Sequence, residues 1–429
     1  MKAVVIGGTE SGIGKTTASL CIAAALKNRG LKVQPFKVGP DFIDPTHYRF
    51  CGHAINLDVF MMGEDGVLRS FIKWMSDKDF GIIEGVMGLF DGYRFTEYSS
   101  TAHIAKLLKV PVILVMDVKG LSLSALALFE GYKNFDRHVN VAGVIFNNCS
   151  GEMYRKLKRV FENRGYKVFG YIPKDKKLEI KSRHLGLVLG IEVQKDWKIF
   201  AEFGEQFLEI DKILEVSDIG IEIHEYSPEI YEDYGKITLG IPFDSAFAFY
   251  YRDNLEIIKK FANLVFFSPL KGEWMECDAY YLGGGYPELY PELKSFGKFI
   301  KKEAESCKYI YAECGGMLFL SRGIDFEGKW LKMAGVLDLD IVFTKKLQAL
   351  GYVKGSVIRD NPFFIGSFRG HEFHYSYAIP DEDVKFAFKT DGKGIKNGLD
   401  GILVYNTLAG YTHIHFYSAK IKDLRNIIR

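Results

Sequence analysis

Several features that would settle the class of this 429-residue chain are missing from it. No apolar run reaches the ~18 residues of a membrane-spanning helix, so no span is expected. Charge of one sign is not in excess: the formal net charge is +2, which offers no basic surface for a nucleic-acid backbone. The six cysteines, Cys21, Cys51, Cys149, Cys277, Cys307 and Cys314, form no CxxC pair and no metal-ligand spacing. In a chain this long they read as reduced thiols, which implies a cytoplasmic protein. There is no internal repeat and no low-complexity tract, and Met1–Gly8 reads as a short strand running into glycines rather than as a signal peptide. What remains is a globular balance of 48% hydrophobic and 26% charged residues, with length for two or three domains.

Both halves alternate short apolar runs with helical patterns. In the first half, strands are expected at Ala3–Ile6, Lys32–Val38, Gly81–Glu84, Val112–Asp117, Val141–Phe146 and Lys167–Tyr171. A helix is expected over Thr16–Arg29 and another over Trp197–Leu214. This pattern predicts a parallel sheet covered on both faces. An acidic, tyrosine-bearing stretch at 216–235 reads as a linker between a domain at 1–215 and one at 236–429. The second series starts at Ile237 and includes Leu264–Phe267, Ala279–Leu282, Tyr309–Ala312, Met333–Val336 and Gly401–Tyr405. The expected fold class is α/β, two tandem three-layer domains: an N-terminal P-loop parallel sheet, then a second open sheet.

Gly7-Gly8-Thr9-Glu10-Ser11-Gly12-Ile13-Gly14-Lys15-Thr16-Thr17 follows the first strand and opens the first helix. Glycines let backbone N–H groups turn toward phosphate oxygens, and the helix N-terminus adds partial positive charge. Gly8, Thr9, Gly12, Gly14, Lys15, Thr16 and Thr17 are the candidate nucleotide-binding residues; Lys15 would reach the β- and γ-phosphates and Thr16 would hold Mg²⁺. Relative to G-x-x-x-x-G-K-T the spacing is shifted, with Thr9 in place of the first glycine and Gly8 one residue earlier.

Acids sit at neighbouring strand ends: Asp41 and Asp44 in Lys37–Pro45, and Glu84 before Gly85–Gly92. Ligands of open α/β sheets bind at those ends, and a hard cation bridging phosphates takes one or two carboxylates. Asp41 and Glu84 therefore join Thr16 as candidate metal ligands. Asn147 and Asn148 end another strand and could read an adenine edge; a turn-forming pair is an equal reading.

Tyr311-Ala312-Glu313-Cys314-Gly315-Gly316 runs from an apolar strand into a helical pattern. A cysteine hemmed by small residues at such a turn is how α/β enzymes expose a nucleophile. Ala312 stands where that elbow usually has glycine. The Gly283-Gly284-Gly285 turn, with the amide of Gly315, could face a developing oxyanion. For the base, His371, His374, His413 and His415 compete, because cysteine and histidine need be close only in space.

The Cys314 elbow, the Leu282–Glu288 turn and the late histidine resemble a class I (triad) glutamine amidotransferase domain of flavodoxin-like architecture. In the cobyric-acid-synthesis branch the family histidine follows a tyrosine and one further residue, here Tyr411-Thr412-His413, which makes His413 the base. The family glutamate two residues later is His415 in this chain, either an orienting residue or a sign that Cys314 and His413 act as a dyad. Arg369-Gly370-His371-Glu372-Phe373-His374 is also a signature of that branch. The first half is similar to dethiobiotin synthetase, whose phosphate loop carries the same extra residue. The combination resembles the cobyrinic acid a,c-diamide synthase family along nearly the whole chain.

That resemblance implies a cytoplasmic ligase that spends ATP, with Mg²⁺, to turn the a and c carboxylates of a polycarboxylate tetrapyrrole into amides. The nitrogen would come from L-glutamine, delivered as ammonia shielded from bulk water. No nucleic-acid or membrane partner is implied, and a homodimer is left open. Lys37, Asp44, Arg183 and His184, with Lys174, are the candidates for holding or activating the acceptor. The motifs do not separate this from the same diamidation on Ni-sirohydrochlorin for coenzyme F430; the P-loop disfavours amidation of a cell-wall lipid intermediate, and the Cys314 and His413 pair argues against a P-loop ATPase switch with an inert amidotransferase-like domain.

Overall fold

The computed structural model describes residues 1–180, 196–219 and 237–426. The chain divides into two compact units, Met1–Pro228 and Glu229–Arg429. Among the described residues no helix is long and apolar enough to cross a membrane.

Unit 1 is built on β1 (Lys2–Gly8), β2 (Val33–Val38), β3 (Ile55–Leu57), β4 (Phe80–Glu84), β5 (Val112–Asp117), β6 (Val141–Asn147) and β7 (Lys167–Ile172). They form one sheet in the order β3-β2-β4-β1-β5-β6-β7, and every pairing is parallel. β1, β2 and β4 are buried almost along their whole length, as a sheet covered on both faces requires. The helix Lys15–Asn28 is buried nearly all round, because it lies between this sheet and the helix Trp197–Phe207. Its alanines permit the approach: a Cβ added at Gly204 would lie 2.4 Å from the Cys21 carbonyl oxygen. The parallel order leaves the carboxyl ends of β1, β2 and β4 side by side.

Two expectations for this unit change. Trp197–Leu214 is two helices, Trp197–Phe207 and Ile210–Val216. Leu208 between them is extended and bridges Gly170, whose φ of 120° and missing side chain let the Phe207 carbonyl approach. The start of the expected linker is bound to unit 1: Ala3 N–H donates to the Ser217 carbonyl, and Asp218 pairs with Lys2 at 2.9 Å. Arg183 and His184 lie outside the described residues.

Unit 2 carries a ten-stranded mixed sheet. Its parallel part runs β9 (Ala262–Phe267), β8 (Ile237–Pro242), β10 (Ala279–Leu282), β11 (Tyr309–Glu313) and then Thr407–Gly410. Five antiparallel strands continue it: Leu399–Val404, Lys385–Thr390, Ala349–Val357, Ser367–His374 and His413–Ile414. A second, four-stranded sheet joins Lys329–Lys332, Gly323–Phe326, Leu339–Phe343 and Ser376–Pro380. Met333–Val336, expected as a strand, is irregular. Its amides bond to loop and helix-end carbonyls of Phe319, Leu320, Ser321 and Arg322, and so it covers the end of the helix Gly315–Leu320.

The core under that helix is aromatic. Phe296 is fully buried and stacks on Phe319 with ring centroids 5.4 Å apart, with Phe247, Phe267 and Phe299 around it. Truncation leaves a cavity that a parallel-sheet layer cannot close, so Phe296→Ala should destabilise unit 2 by about 3–5 kcal/mol. Denaturant unfolding followed by fluorescence checks this; a loss below about 1 kcal/mol would mean that the layer relaxes into the gap.

Candidate active sites

In unit 1 the turn after β1 is held open by glycine. Gly14 has φ 95° and is the left-handed cap of the helix Lys15–Asn28, and Gly12 has φ 77°. A Cβ at Gly14 would lie 2.5 Å from Asn147 Nδ2. That amide donates to the Ile13 carbonyl at 2.7 Å, so Asn147 holds the loop backbone. Asn148 donates to Asp117 at 2.6 Å. Gly8 and Thr9 are tied by their carbonyls, to Leu89 N–H and to the Tyr132 hydroxyl. Lys15 Nζ donates to the carbonyls of Glu10 and Met87, both at 2.6 Å. Burial, and then the charge of Lys37, lower its pKa to about 8. An anion at this turn would reverse that shift. Thr16 and Thr17 form the first turn of the helix.

The acids meet at Lys37. Its ammonium donates to Glu84 Oε1 at 2.8 Å and to Asp44, and lies 3.9 Å from Asp41. Thr16 Oγ1 donates to the same Glu84 oxygen at 2.6 Å, and Tyr48 donates to the other. Burial opposes the charge on Lys37, but Glu84, Asp44 and Asp41 outweigh it and hold its pKa above the usual lysine range. Burial and the charge of Asp44 push Asp41 up; burial also works against Asp44, but Lys37 outweighs it and pulls Asp44 down. Lys37 and Asp44, expected to meet the acceptor, are thus engaged with each other. Lys37 is 3% exposed, so it acts as the counter-ion of the acids.

Among the described residues no three His, Cys, Asp or Glu side chains are arranged to enclose a metal ion. The donors at this point are nonetheless hard oxygens: Thr16 Oγ1, Glu84 and Asp41. That set fits a Mg²⁺ whose remaining positions are filled by phosphates and water, the usual arrangement for this ion. Asp91, to which the sequence reading gave no role, accepts from Gly88 N–H at 2.8 Å, and its charge acts on Lys15.

In unit 2, Cys314 follows β11 and caps the helix Gly315–Leu320 with φ 45° and ψ −106°, a conformation that a residue with a side chain rarely holds. The small neighbours are a steric necessity. A Cβ at Gly315 would lie 2.5 Å from the Gly285 carbonyl oxygen, and one at Gly316 would lie 2.4 Å from that of Leu282. Cys314 N–H is anchored to the Gly410 carbonyl at 2.8 Å. Of the expected oxyanion donors, Gly284 is withdrawn, because its N–H donates to the Phe249 carbonyl at 3.2 Å. Gly285 and Gly315 stand backbone to backbone, and neither amide has a backbone acceptor among the described residues. Gly284 serves sterically instead: a Cβ there would lie 2.6 Å from His413 Cε1.

His413 is the histidine brought to the sulfur. It is 2% exposed and hydrogen-bonded to Cys314, and its Nδ1 faces Glu313 Oε2 at 3.5 Å. Burial lowers its pKa, but Cys314 and Glu313 outweigh burial and raise it to about 10. The carboxylate that faces His413 is therefore Glu313. It is fixed by Tyr281 at 2.9 Å, Tyr311 at 2.7 Å and Ile414 N–H at 3.2 Å. His415, expected in that place, accepts from Tyr417 N–H and lies against the rings of Tyr251 and Tyr417. Burial drives its pKa down to about 3, so it stays neutral. The sequence signal for Glu313 was a lone acid in an otherwise apolar strand.

The loop that delivers His413 is clamped by two buried acids. Asp400 accepts from Tyr411 N–H and Thr412 N–H, and the Thr412 hydroxyl lies 2.7 Å from Asp400 and 3.1 Å from Glu372. His374 stacks on Tyr411 with centroids 3.8 Å apart.

Residues 4–188 match the CobQ/CobB/MinD/ParA nucleotide binding domain family, and residues 238–421 match the CobB/CobQ-like glutamine amidotransferase domain family. A cobyrinate a,c-diamide synthase of Saccharolobus solfataricus is 41% identical, over 98% of this chain and 99% of its own length. Those of Caldanaerobacter subterraneus and Methanocaldococcus jannaschii are each 40% identical, over 97% of this chain and 95% and 96% of theirs. The chain belongs to the cobyrinate a,c-diamide synthase family. It is an enzyme of the ligase class, with a nucleotide-binding unit and a glutamine amidotransferase unit. The family signature at Arg369–His374 is the strand that pairs with His413–Ile414.

The raised His413 pKa has a defined sign. Its contribution to stability is complete below pH 6.5, the ordinary histidine value, and is lost as pH rises through about 10. Glu313→Gln removes one of the groups that raise it. The basic limb of the pH–rate profile for glutamine hydrolysis should then move to lower pH; an unmoved limb would show that Glu313 does not set the protonation of the base.

Proposed function

We propose that this enzyme uses ATP and glutamine to amidate the a and c side-chain carboxylates of cobyrinate through an acyl phosphate. The observation that carries the reading is Cys314 at a strained elbow, hydrogen-bonded to His413, in one chain with a glycine-turned loop that presents Lys15 and Thr16.

In unit 1 a carboxylate oxygen of the acceptor attacks the γ-phosphorus of ATP, and ADP leaves. Lys15 exchanges its two carbonyl partners for phosphate oxygens and neutralises their charge. Thr16, Asp41 and Glu84 would hold Mg²⁺, which would supply positive charge against the phosphate oxygens. Lys37 favours the ionised form of Asp44 and, with it, would act on the transferring phosphoryl group. Lys174, Arg183 and His184 remain candidates for the acceptor's other carboxylates.

In unit 2 the Cys314 sulfur attacks the side-chain amide carbon of glutamine. The oxygen that gains charge is met by the amides of Gly285 and Gly315. His413 gives a proton to the departing nitrogen, ammonia leaves, and a thioester remains; water, deprotonated by His413, releases glutamate. Ammonia then attacks the acyl carbon, phosphate leaves, and the amide forms.

Cys314→Ala should abolish amidation with glutamine and leave amidation with ammonium chloride at high pH. Product masses after incubation with ATP, Mg²⁺ and either cobyrinate or Ni-sirohydrochlorin check both the chemistry and the acceptor. Equal loss with both nitrogen sources would overturn the two-site reading. A two-amide product from the nickel macrocycle alone would overturn the acceptor.

Lys15→Met should abolish amidation with either nitrogen source and leave glutamine hydrolysis measurable, because Lys15 serves only the phosphoryl step. Product and glutamate assays on one preparation check this.

A further inference from the structure

The steps above leave the family signature Arg369–His374 without a chemical part. Its strand lies antiparallel to His413–Ile414, with His371 directly opposite His413. Gly370 makes the approach feasible: a Cβ there would lie 2.1 Å from the His413 carbonyl oxygen. The two imidazoles stack, with centroids 5.1 Å apart and planes 19° from parallel. His371 is 6% exposed, and its Nδ1 is hydrogen-bonded to the Tyr251 hydroxyl at 2.9 Å. Tyr251, itself 1% exposed, fixes the plane of the His371 ring.

We infer that His371 is a positioning residue for glutamine hydrolysis: its neutral ring, oriented by Tyr251, lies on the face of His413 and holds that base in the plane of Cys314. The inference rests on the glutamine-hydrolysing role proposed for Cys314 and His413. The other sides of His413 are already defined, by Gly284 at Cε1 and Glu313 at Nδ1. With Nδ1 facing the carboxylate, Nε2 is left for the sulfur. The remaining freedom is rotation of the ring out of that plane, and a flat neighbour stacked on its face removes it. Neutrality matters, because a second positive charge at this distance would disfavour the imidazolium that protonates the departing amide nitrogen. Burial, and then the charge of His413, push the pKa of His371 far below the usual histidine value, which supports the neutral form.

Three variants test this by stopped-time glutamate assays across pH, with ammonia-dependent amidation as the control for an intact chain. His371→Ala should lower kcat for glutamine hydrolysis by about 10- to 100-fold, because a small misorientation of a catalytic group has that effect. KM for glutamine should hardly change. His371→Phe keeps a flat uncharged ring and should recover most of the lost kcat, with the basic limb of the pH profile where the parent enzyme has it. The double variant His371→Phe/Tyr251→Phe removes the hydroxyl that bonds His371 Nδ1 and keeps the test informative where the single variant folds poorly. His371→Phe as inactive as His371→Ala would overturn the inference, because His371 would then be moving protons itself. Parallel loss of ammonia-dependent amidation and thermal stability would also overturn it, in favour of a purely structural role. Neither result would touch the proposed function, which the Cys314→Ala variant and the product masses test separately.

Discussion

Cys314 is held at φ 45° and ψ −106° by contacts on all sides of its backbone. Its amide is tied to Gly410, and the two residues after it lie so close to Gly285 and Leu282 that neither tolerates a side chain. Such a conformation costs about 1–3 kcal/mol and persists only where packing over-determines it. Here the packing is the junction of β10, β11 and Thr407–Gly410 with the aromatic layer around Phe296 and Phe319. The strain leaves Cys314 half-buried at the turn, with Gly285 and Gly315 backbone to backbone next to it in the chain. Without the elbow, Gly285, Glu313 and His413 would be ordinary residues at strand ends.

Both units solve one electrostatic problem, keeping charge in a buried place, and they solve it differently. Around Lys37 three carboxylates share one ammonium, with Thr16 and Tyr48 donating to Glu84. A buried group with so many partners is expensive to leave half-satisfied, so the cluster stays assembled until another cation can take its place. Around Cys314 the positive group is the imidazole itself, raised by sulfur and Glu313 against its own burial. The first arrangement awaits a ligand that brings charge with it; the second is charged before a neutral substrate arrives. That difference suits phosphoryl transfer in one unit and attack on an amide in the other.

How much of this was legible in the sequence followed the range of the interaction. The phosphate turn and the elbow were legible because glycines beside Lys15-Thr16 and beside Cys314 form local patterns of sequence, although the atoms that exclude a side chain at Gly14 and Gly316 come from Asn147 and Leu282. The parallel strands were legible as buried apolar runs. Ala349–Val357 was not, because it alternates exposed and buried positions at short range and includes two glycines. Met333–Val336 reads as a strand by composition, yet its amides find loop and helix-end carbonyls instead. Family spacing offered His415 as an orienting residue or as a sign of a dyad; its ring lies against Tyr251, and Glu313 from the end of β11 faces His413. Asp400 and Glu372 were invisible for the same reason: they reach Thr412 only through pairings made far away in sequence.

The clamp on Thr412 shows why such residues escape a linear reading. The threonine hydroxyl carries one proton and faces two carboxylates. It can donate to only one of them, and backbone amides complete the rest: Tyr411 and Thr412 N–H donate to Asp400, and Lys393 and Gly394 N–H donate to Glu372. Burial, and then the charge of Glu372, raise the pKa of Asp400 to about 6. An acid from each of two strands thereby becomes a strap on the loop that carries His413. Burial acts on His371 as well, a polar side chain whose pKa it pushes far below the usual histidine value. In this unit the groups that react are marked by local sequence, and the groups that hold them are marked only by what the sheet lays across them.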